Sequence, residues 1–354
     1  MPKIDVLFKK LITQNGSDLH LKQGQKPKLR LHGRLKPLED QPELTQGALA
    51  DMLQEIAAPK VWHRFEECGD LDFAYALDTG ERFRANYFRH VFGYGAVFRL
   101  IPSRIQTLEE LEMPKVLKEF SHLRSGLVLI TGPTGSGKST TLAALVDFIN
   151  TTQAKKIITI EEPVEFLHTN KSSLISHREV GLDTPSFAQG LRFALKSDAN
   201  LILVGEMRDQ ETIELALTAA EMGILVFGTL HTNSAPKTID RIVDVFSTKK
   251  KPQIRTILAH TLKGVVSQQL LRSVDGSRRW VAYEILLYTS ALASIIMQGE
   301  TVRLVSEIQM NKARGMLLMD ECLTQLVRQG KVTREEAYMK ALDKVNFMGG
   351  SGTV

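Results

Sequence analysis

Residues 127–139 read Leu-Val-Leu-Ile-Thr-Gly-Pro-Thr-Gly-Ser-Gly-Lys-Ser, and this stretch decides the fold. From Gly132 to Ser139 it matches the pattern G-x-x-x-x-G-K-S, with an apolar run of strand length before it and a helix-forming stretch, residues 141–149, after it. Strand, glycine-rich loop and helix in this order are the context that the pattern requires. The glycines let successive N–H groups point inward at phosphate oxygens, and the start of the helix adds positive potential. We therefore predict a phosphate-binding loop, the P-loop.

The predicted P-loop indicates a site for ATP or ADP with Mg²⁺. Lys138 places a positive charge against the β- and γ-phosphates, and Ser139 offers its hydroxyl to Mg²⁺. The residues predicted to contact the nucleotide are Gly132, Pro133, Thr134, Gly135, Ser136, Gly137, Lys138, Ser139 and Thr140.

A carboxylate follows a second strand-like run. The sequence Leu-Ile-Leu-Val-Gly, residues 201–205, leads into Glu206, which resembles a Walker B element. A carboxylate at the tip of a strand can orient or deprotonate the attacking water and can support the Mg²⁺ shell, partly through water. We predict Glu206 as a catalytic residue and, with Ser139, as a Mg²⁺ ligand.

Two further strand-like runs end in acidic residues and a histidine. Glu161 and Glu162 come after the apolar residues 157–160, and His231 follows residues 224–229. Because open α/β sheets bind ligands at the carboxyl ends of parallel strands, these side chains should share an edge with the P-loop. We predict Glu161 and Glu162 as catalytic residues, and His231 as a sensor of the γ-phosphate or a group that polarises water. A solvated acidic turn and a packed histidine are the alternative interpretations.

The chain of 354 residues divides by pattern into two domains. Residues 1–102 combine an amphipathic helix with short alternating strands, which predicts a small α+β domain. Residues 103–125 form a predicted linker and hinge, and residues 126–354 form an α/β domain with a mostly parallel sheet covered on both faces. We expect a mainly helical region from about residue 252 and disorder over residues 348–354. The predicted helices are residues 4–12 and 46–56, and the predicted strands are residues 19–21, 28–31, 71–76, 83–88, 96–100, 127–131, 157–161, 201–205 and 224–229.

The composition is that of an ordinary globular protein, with 43% hydrophobic and 24% charged residues. Cys68 and Cys322 belong to no C-x-x-C pair, so we predict no zinc or redox site, and the low cysteine content fits a reducing cytoplasm. No apolar run approaches the roughly 18 residues that span a bilayer, and the first residues lack the apolar core of a signal peptide. We therefore predict a cytoplasmic protein without a membrane span. The net charge of +5 is spread along the chain, and we predict no nucleic-acid partner.

The motifs, taken in this order, resemble those of the secretion and pilus ATPase superfamily. The hallmarks of that superfamily are Walker A, an acidic box, Walker B and a histidine box, and the resemblance spans nearly the whole chain. Val-Gly-Glu-Met-Arg-Asp at residues 204–209 and Gly-Thr-Leu-His-Thr-Asn at residues 228–233 carry it most specifically. Ser-Asp-Leu-His-Leu at residues 17–21 resembles the start of the N-terminal domain of the superfamily.

Within the superfamily, the chain most resembles the PilT family of type IV pilus retraction (twitching motility) ATPases. The chain begins almost directly with the N-terminal domain, lacks the tetracysteine module of many assembly and type II secretion ATPases, and has Gly-Val-Val-Ser-Gln-Gln-Leu-Leu at residues 264–271. The resemblance implies a PAS-like N-terminal domain, a RecA-like ATPase domain, and a hexameric motor that couples ATP hydrolysis to pilus retraction.

The same resemblance implies further site residues and partners. Nucleotide would lie between the two domains of one subunit and near the N-terminal domain of the next. Arg84 and Arg99, with Arg82 as a weaker candidate, would there neutralise transition-state charge. Exposed strand arginines without such a role are the alternative. The implied partners are the other copies of a homohexamer, an inner-membrane pilus platform protein and other pilus ATPases, with the protein peripheral to the inner membrane.

Three departures from the family pattern bear on function. Glu162 stands where the family usually has Asp, and Ile224 stands where it usually has His. Ala-Leu-Ala-Ser-Ile-Ile-Met-Gln at residues 291–298 replaces Ala-Ile-Arg-Asn-Leu-Ile-Arg-Glu, so two arginines and a glutamate are missing. We expect hydrolysis to survive these changes and keep a divergent paralogue with an accessory role as an alternative to retraction.

Other functions remain open on the sequence alone. They are an assembly or secretion motor of the same superfamily, a nucleotide-binding regulator without catalysis, and a nucleic-acid motor. The short N-terminus argues against the first, and the lack of interleaved aromatic and basic residues argues against the last.

Overall fold

The computed structural model describes residues 2–31, 34–101 and 104–348. The predicted domain boundary at residues 102 and 103 and the predicted disorder of residues 349–354 fall outside the described residues.

The described residues divide into two compact units. The first comprises Met1–Ile105 with Glu162–Leu167, and the second comprises Gln106–Glu161 with His168–Val354. Residues 106–125 of the predicted linker thus cluster with the second unit, and the hinge in this segment stays a prediction.

The first unit is an antiparallel sheet with helices packed on it. Its strands take the order β3-β2-β1-β6-β5-β4, and α1, α2 and five of the six described strands coincide with the predictions. The sequence patterns missed α3, and they missed β3 because all four of its residues are exposed and show no apolar alternation. In chain order, the elements are α1 Asp5–Thr13, β1 Asp18–Lys22, β2 Lys28–Leu31, β3 Arg34–Pro37, α2 Gln46–Ile56, α3 Pro59–Cys68, β4 Asp70–Ala76, β5 Arg82–His90 and β6 Gly93–Ile101.

Aromatic side chains fill the core of the first unit. Phe8 of α1 stacks on Phe83 of β5, with ring centroids 4.1 Å apart, and meets the edge of Phe98 of β6 at 5.0 Å. Because successive strand residues point to opposite faces, Arg84 and Arg99 lie on the face away from these rings. Arg84 and Arg99 are also direct cross-strand partners. The sheet therefore places the two predicted arginines side by side.

The second unit is a larger α/β layer structure. The elements, in chain order, are a 3-10 helix Lys115–His122, β7 Gly126–Thr131, α4 Lys138–Thr152, β8 Lys156–Glu161, β9 Leu174–Glu179, α5 Phe187–Ala194, β10 Leu201–Val204, α6 Gln210–Glu221, β11 Leu225–Leu230, α7 Ala235–Asp244, α8 Lys251–Thr261, β12 Leu262–Arg272, β13 Arg279–Leu287, α9 Ser290–Gln298, α10 Leu304–Met310, α11 Met319–Arg328 and α12 Arg334–Lys340, with short 3-10 turns at Thr301–Arg303, Lys312–Arg314 and Lys344–Phe347.

The sheet of the second unit has the order β13-β12-β7-β11-β10-β8-β9 and is parallel except for the β12–β13 pair. The strands β7, β10 and β11 are buried along their whole length, as expected where helices cover both faces. This arrangement brings the carboxyl ends of β7, β8, β10 and β11 to one edge. The predicted fold class, a small α+β domain followed by a RecA-like domain, is confirmed.

The expectation of a mainly helical chain from about residue 252 is wrong for residues 262–287. There β12 extends the central sheet beside β7, and β13 pairs with β12 in register from Gly264 to Arg272. Because β12 is buried on both faces, its apolar residues do not alternate, and spacings such as those of Leu262, Val265 and Val266 imitate a helical period. Helices dominate only after β13.

Two stacked histidines hold the segment that connects β8 to β9. The backbone N–H of His168 donates to Nε2 of His177 on β9 at 3.1 Å, and Nδ1 of His177 lies 2.9 Å from Oγ1 of Thr159 on β8. The two rings stack with centroids 5.7 Å apart. The His168 side chain is 3% exposed, and its Nδ1 lies 3.7 Å from the carboxylate of Asp147. The segment between β8 and β9 is therefore held to both strands by hydrogen bonds through His177.

We predict that His168 makes the stability of the protein fall at acidic pH. Burial, together with the charge of His177, lowers the pKa of His168 to about 4, whereas an unfolded histidine titrates near pH 6.5. Between these two pH values the unfolded chain binds a proton at this histidine and the folded chain does not. The free energy of unfolding therefore falls by up to about 3 kcal/mol as the pH falls from about 6.5 toward 4. Urea unfolding of the wild type and His168→Phe between pH 7 and 4.5 should show a shallower pH dependence in the variant. Substitution of the exposed His63 by Phe is the control, and equal slopes in all three proteins would contradict the prediction.

Candidate active site

The predicted P-loop lies between the end of β7 and the start of α4. Gly135 and Gly137 have φ values of 77° and 89°, in the left-handed region that glycine adopts without strain. Lys138 opens α4, and its ammonium donates to the carbonyls of Gly132 and Pro133 at 2.8 and 3.2 Å. The loop is thus curled around its own lysine, and it leads directly into the amino end of α4, which favours an anion.

Strand β12 supports the loop from beneath. A Cβ on Gly132 would lie 2.2 Å from the carbonyl oxygen of Gln268, so only glycine fits there. The amide of Gln268 donates to the carbonyl of Ser136 at 2.8 Å, and Thr131 and Ser267 share a hydroxyl hydrogen bond of 2.8 Å. Sequence reasoning missed Ser267 and Gln268, because no local pattern ties a residue on β12 to a loop about 130 positions earlier.

A glutamate that contacts an arginine and a histidine follows the end of β10. Oε1 of Glu206 is 2.7 Å from Nε of Arg208 and 3.0 Å from Nε2 of His231. The Met207 N–H donates to the carbonyl of Thr229, which ties the ends of β10 and β11 together and brings the histidine to the glutamate. The structure therefore unites two predicted residues and adds Arg208, which the sequence analysis did not select.

The ionisation of Glu206 is set by opposing effects. Partial burial raises its pKa, but the hydrogen bonds and charges of Arg208 and His231 outweigh burial and hold the pKa below its usual value. Glu206 is consequently ionised at neutral pH. An ionised carboxylate at this edge can accept hydrogen bonds from water and can attract a divalent cation.

Glu161 ends β8 beside β10. A Cβ on Gly205 would lie 3.2 Å from the Cα of Glu161, so the two strand ends are close neighbours. Glu162, the next residue, clusters with the first unit. The catalytic roles of Glu161 and Glu162 stay predictions.

The residues of the second unit fit a nucleotide with Mg²⁺. The hydroxyl of Ser136 is buried within the loop, and among the described residues its Oγ has no hydrogen-bond partner, which suits a phosphate oxygen. The described residues contain no group of three or more His, Cys, Asp or Glu that could hold a metal ion. Mg²⁺ usually takes few protein ligands and completes its shell with water and phosphate oxygens, so this finding does not conflict with the predicted ligands Ser139 and Glu206, which stay predictions.

The departure at Ile224 lies away from this edge. Ile224 immediately precedes β11 and packs partly against the core, whereas His231 follows the carboxyl end of β11. At about 3.3 Å of rise per residue, the two positions are separated by roughly 20 Å. An imidazole at position 224 would therefore lie at the opposite edge of the sheet from the P-loop.

The predicted arginines belong to the first unit and are paired with carboxylates there. Nε of Arg84 lies 3.7 Å from Asp72, and its Nη1 lies 3.8 Å from Glu165. Nε of Arg99 donates to Asp18 at 2.9 Å. Burial raises the pKa of Asp18, but Ser17 and Arg99 overcome it and lower the pKa below its usual value. These anions offset the repulsion that two like charges on adjacent strands would otherwise feel.

A sheet that holds a phosphate cradle and an ionised glutamate at the same edge defines the second unit as a P-loop ATPase domain of the RecA-like class. Comparison with known families extends this to the whole chain. Residues 1–345 match the family model described as Type II/IV secretion system protein, and the chain belongs to that family.

Named relatives match the chain over almost its full length. The Type IV pilus retractation ATPase PilT of Pseudomonas aeruginosa is 46% identical over 94% of this chain and 96% of that protein. The Twitching motility protein of Neisseria gonorrhoeae is 45% identical over 89% of this chain and 84% of that protein. The crystal structure of the pilus retraction motor PilT with bound ADP is 41% identical, covers 97% of this chain and 98% of that chain, and has a TM-score of 0.89. The family resemblance predicted from the motifs is confirmed.

No helix among the described residues is long and apolar enough to cross a membrane.

We predict that Arg208 determines the pH below which kcat for hydrolysis at this site falls. Because Arg208 helps to keep the pKa of Glu206 low, Arg208→Ala should raise that pKa, and the acid limb of a kcat profile should move to higher pH. The profile would be measured by phosphate release between pH 4 and 8.5, with Arg192→Ala as an exposed arginine control. An unchanged acid limb in Arg208→Ala would show that the Glu206 carboxylate does not govern the rate.

Proposed function

We propose that this chain is a Mg²⁺-dependent ATPase that acts as a homohexameric ring and drives retraction of type IV pili. One observation carries the proposal: a P-loop and the Glu206–His231 pair share one sheet edge in a chain that aligns over 96% of the length of a pilus retraction ATPase. A match of that extent leaves no large part of the relative without a counterpart.

The chemistry follows from the side chains at the sheet edge. Lys138 would exchange its two loop carbonyls for the β- and γ-phosphate oxygens, and Ser139 would offer its hydroxyl to the metal. Mg²⁺, when bound, supplies positive charge that neutralises these oxygens during phosphoryl transfer. Glu206, with its low pKa, is a weak base at neutral pH, so its main task is to orient the attacking water. Nε2 of His231 lies 3.0 Å from Oε1 of Glu206, the oxygen that Arg208 also contacts, and would hold the carboxylate in one orientation.

A neighbouring subunit would complete the site through Arg84 and Arg99, with Arg82 as a weaker candidate. Each of the first two is held by a carboxylate of its own unit, Arg84 by Asp72 and Glu165, and Arg99 by Asp18. These side chains are about 38% and 67% exposed, so an incoming polyphosphate can compete for them. Guanidinium groups supplied in this way stabilise transition-state charge. We also propose catalytic support from Glu161 and Glu162.

The proposed partners and location follow from the same family. We propose a cytoplasmic protein peripheral to the inner membrane, engaged with the pilus platform protein there and with other pilus ATPases, and independent of nucleic acid.

An accessory role in the same machinery is the second candidate, and helix α9 favours it. Residues 291–298 fall within α9, where the positions of the two family arginines are taken by Ala293, which is 8% exposed, and Met297, which is 45% exposed. The exposed site therefore presents a thioether instead of a charge. A partner that requires a cation at this position would not recognise this helix.

We predict that Lys138→Ala and Glu206→Gln both abolish phosphate release but differ in binding. Lys138→Ala should weaken ADP binding by about tenfold or more, because it removes a charge-assisted contact. Glu206→Gln should lower kcat by about 100-fold or more and leave ADP affinity within about twofold. Steady-state phosphate release and calorimetric titration measure the two effects, with the exposed Glu221→Gln as the matched charge control. Hydrolysis that persists in Glu206→Gln would contradict the assigned role.

We further predict that expression of this chain restores twitching to a Pseudomonas aeruginosa strain that lacks PilT, and that Lys138→Ala does not. Twitching zones and counts of surface pili provide the readout. If the purified protein hydrolyses ATP but twitching is not restored, even by a variant that carries Ala293→Arg and Met297→Arg, the result would argue against retraction. Restoration only by the arginine variants would favour the accessory role.

A further inference from the structure

The loop that carries His231 is short, and it is fixed at both ends. It consists of residues 231–234, between the end of β11 and the start of α7. At the first end, β11 pairs with β7 as far as Leu230. At the second end, Ala235 opens α7. Because the loop is so short, the position of Ala235 limits how closely the imidazole can approach Glu206.

The start of α7 is held by a buried glutamate on β13. Ser234 is the N-cap residue of α7 and is of a type that commonly caps helices, but in the described part of the chain its side chain makes no capping hydrogen bond. Instead, the N–H of Ala235 donates to Oε1 of Glu284 at 2.7 Å. Because Glu284 is only 2% exposed, water is largely excluded from this hydrogen bond.

The second oxygen of the same carboxylate holds another helix. The N–H of Met319, the first residue of α11, donates to Oε2 of Glu284 at 3.4 Å. The N-cap residue of α11 is Leu318, whose side chain has no hydrogen-bonding group. Glu284 thus gives the amino ends of both helices an acceptor that their own N-cap side chains do not supply.

A carboxylate suits this double role better than an amide does. The amino ends of helices carry partial positive charge, and two of them at one carboxylate offset part of the cost of its burial. Burial nevertheless raises the pKa of Glu284, although the N–H groups of Ala235 and Met319 act in the opposite direction. In Glu284→Gln, one oxygen is replaced by an NH₂ group that only donates. The variant can therefore accept a hydrogen bond from one helix end but not from the other.

A hydroxyl of α7 supports the same loop from within. The hydroxyl of Thr238 donates to the carbonyl of Ser234 at 2.7 Å, and its Oγ1 lies 2.6 Å from Oγ1 of Thr232. Oγ1 of Thr238 also lies 3.5 Å from Oγ1 of Thr131, at the end of β7. Because Thr238 is fully buried, these contacts join the first turn of α7 both to the loop and to the strand that leads into the P-loop.

The two supports meet on one face of the sheet. Glu284 is the direct cross-strand partner of Ser267, whose hydroxyl bonds to Thr131. Side chains of directly opposed strand residues point to the same face. The carboxylate on β13 and the hydroxyls below the P-loop therefore act on α7 from the same side.

We propose that Glu284 is a positioning residue for ATP hydrolysis, which fixes the start of α7 against β13 and thereby holds His231 at the Glu206 carboxylate. The inference rests on the proposed role of the Glu206–His231 pair. Its two hydrogen bonds go to helix ends and not to the P-loop, so Glu284 acts on the rate and not on nucleotide affinity. A displacement of about 1 Å at a reacting centre can lower a rate by about 100-fold.

A double-mutant cycle on the full chain tests this role. We would measure kcat by phosphate release and the Kd of ADP by calorimetry for wild type, Glu284→Gln, His231→Gln and the double variant. Glu284→Gln should lower kcat by about tenfold or more and leave the Kd of ADP within about twofold. The double variant should have the kcat of His231→Gln alone, because residues that act through one contact are not additive.

The matched control is Glu307→Gln, a second buried glutamate of the same unit. Glu307 lies on α10 and accepts hydrogen bonds from the hydroxyl of Thr289 at 2.7 Å and the amide of Asn311 at 2.9 Å. Glu307→Gln and Glu284→Gln should both lower the unfolding temperature, because each leaves buried polar groups poorly paired. Only Glu284→Gln should lower kcat, which separates positioning from a loss of stability.

A second variant, Thr238→Val, removes the hydroxyl support at the same helix end. It should also lower kcat in the wild type and cause no further loss in His231→Gln, and it carries the test if Glu284→Gln does not fold. If His231→Gln has the kcat of the wild type, the proposed role of His231 fails and the inference fails with it. If His231→Gln is slow but the folded Glu284→Gln is as active as wild type, or if the two losses multiply, the inference alone is overturned.

Discussion

The close passage of the P-loop over β12 is the constraint on which the rest of the second unit depends. At Gly132 the loop backbone comes so near the carbonyl of Gln268 that no side chain fits between them. Gln268 in turn holds the carbonyl of Ser136, and the hydroxyls of Thr131 and Ser267 join the two strands below the loop. A loop that must present its N–H groups to an anion has few hydrogen bonds of its own. Its shape is therefore imposed by the neighbouring strand.

The chemistry at the same edge rests on a balance between burial and charge. Glu206 is partly withdrawn from water, which by itself favours the protonated acid, yet Arg208 and His231 keep it ionised. The tie between the ends of β10 and β11 gives His231 its distance to the carboxylate. The arginines of the first unit are also paired with carboxylates, Arg84 with Asp72 and Arg99 with Asp18. Glu206 and these two arginines each have a partner of opposite charge or a hydrogen-bond donor in the described structure.

Two of the departures from the family pattern, Ile224 and residues 291–298, lie in different parts of the fold. Ile224 lies at the amino end of β11, where a side chain has no access to the catalytic edge. Residues 291–298 form α9, whose buried positions keep the apolar pattern that packs the helix against its neighbours, whereas Met297 changes the exposed surface. Position 224 therefore lies too far from the P-loop for its side chain to reach the Glu206 edge, whereas position 297 changes only the exposed surface of α9.

The sequence by itself determined the P-loop, the strand-terminal Glu206 and His231 and the α+β followed by α/β order. Each of these follows from a local pattern: a glycine spacing, an apolar run with a polar end, or an alternation of period two. Arg84 and Arg99 were predicted from the family resemblance, and only the structure showed that they are cross-strand partners. Tertiary structure alone decided that residues 262–287 form β12 and β13, since a strand buried on both faces loses the alternation that marks it. It also decided that Gln268 supports the loop, that Arg208 shares Glu206 with His231, and that Glu284 meets the amino ends of both α7 and α11. These contacts join positions that no local period relates, because hydrogen bonds and ion pairs act over a few ångströms of space, whatever the separation along the chain.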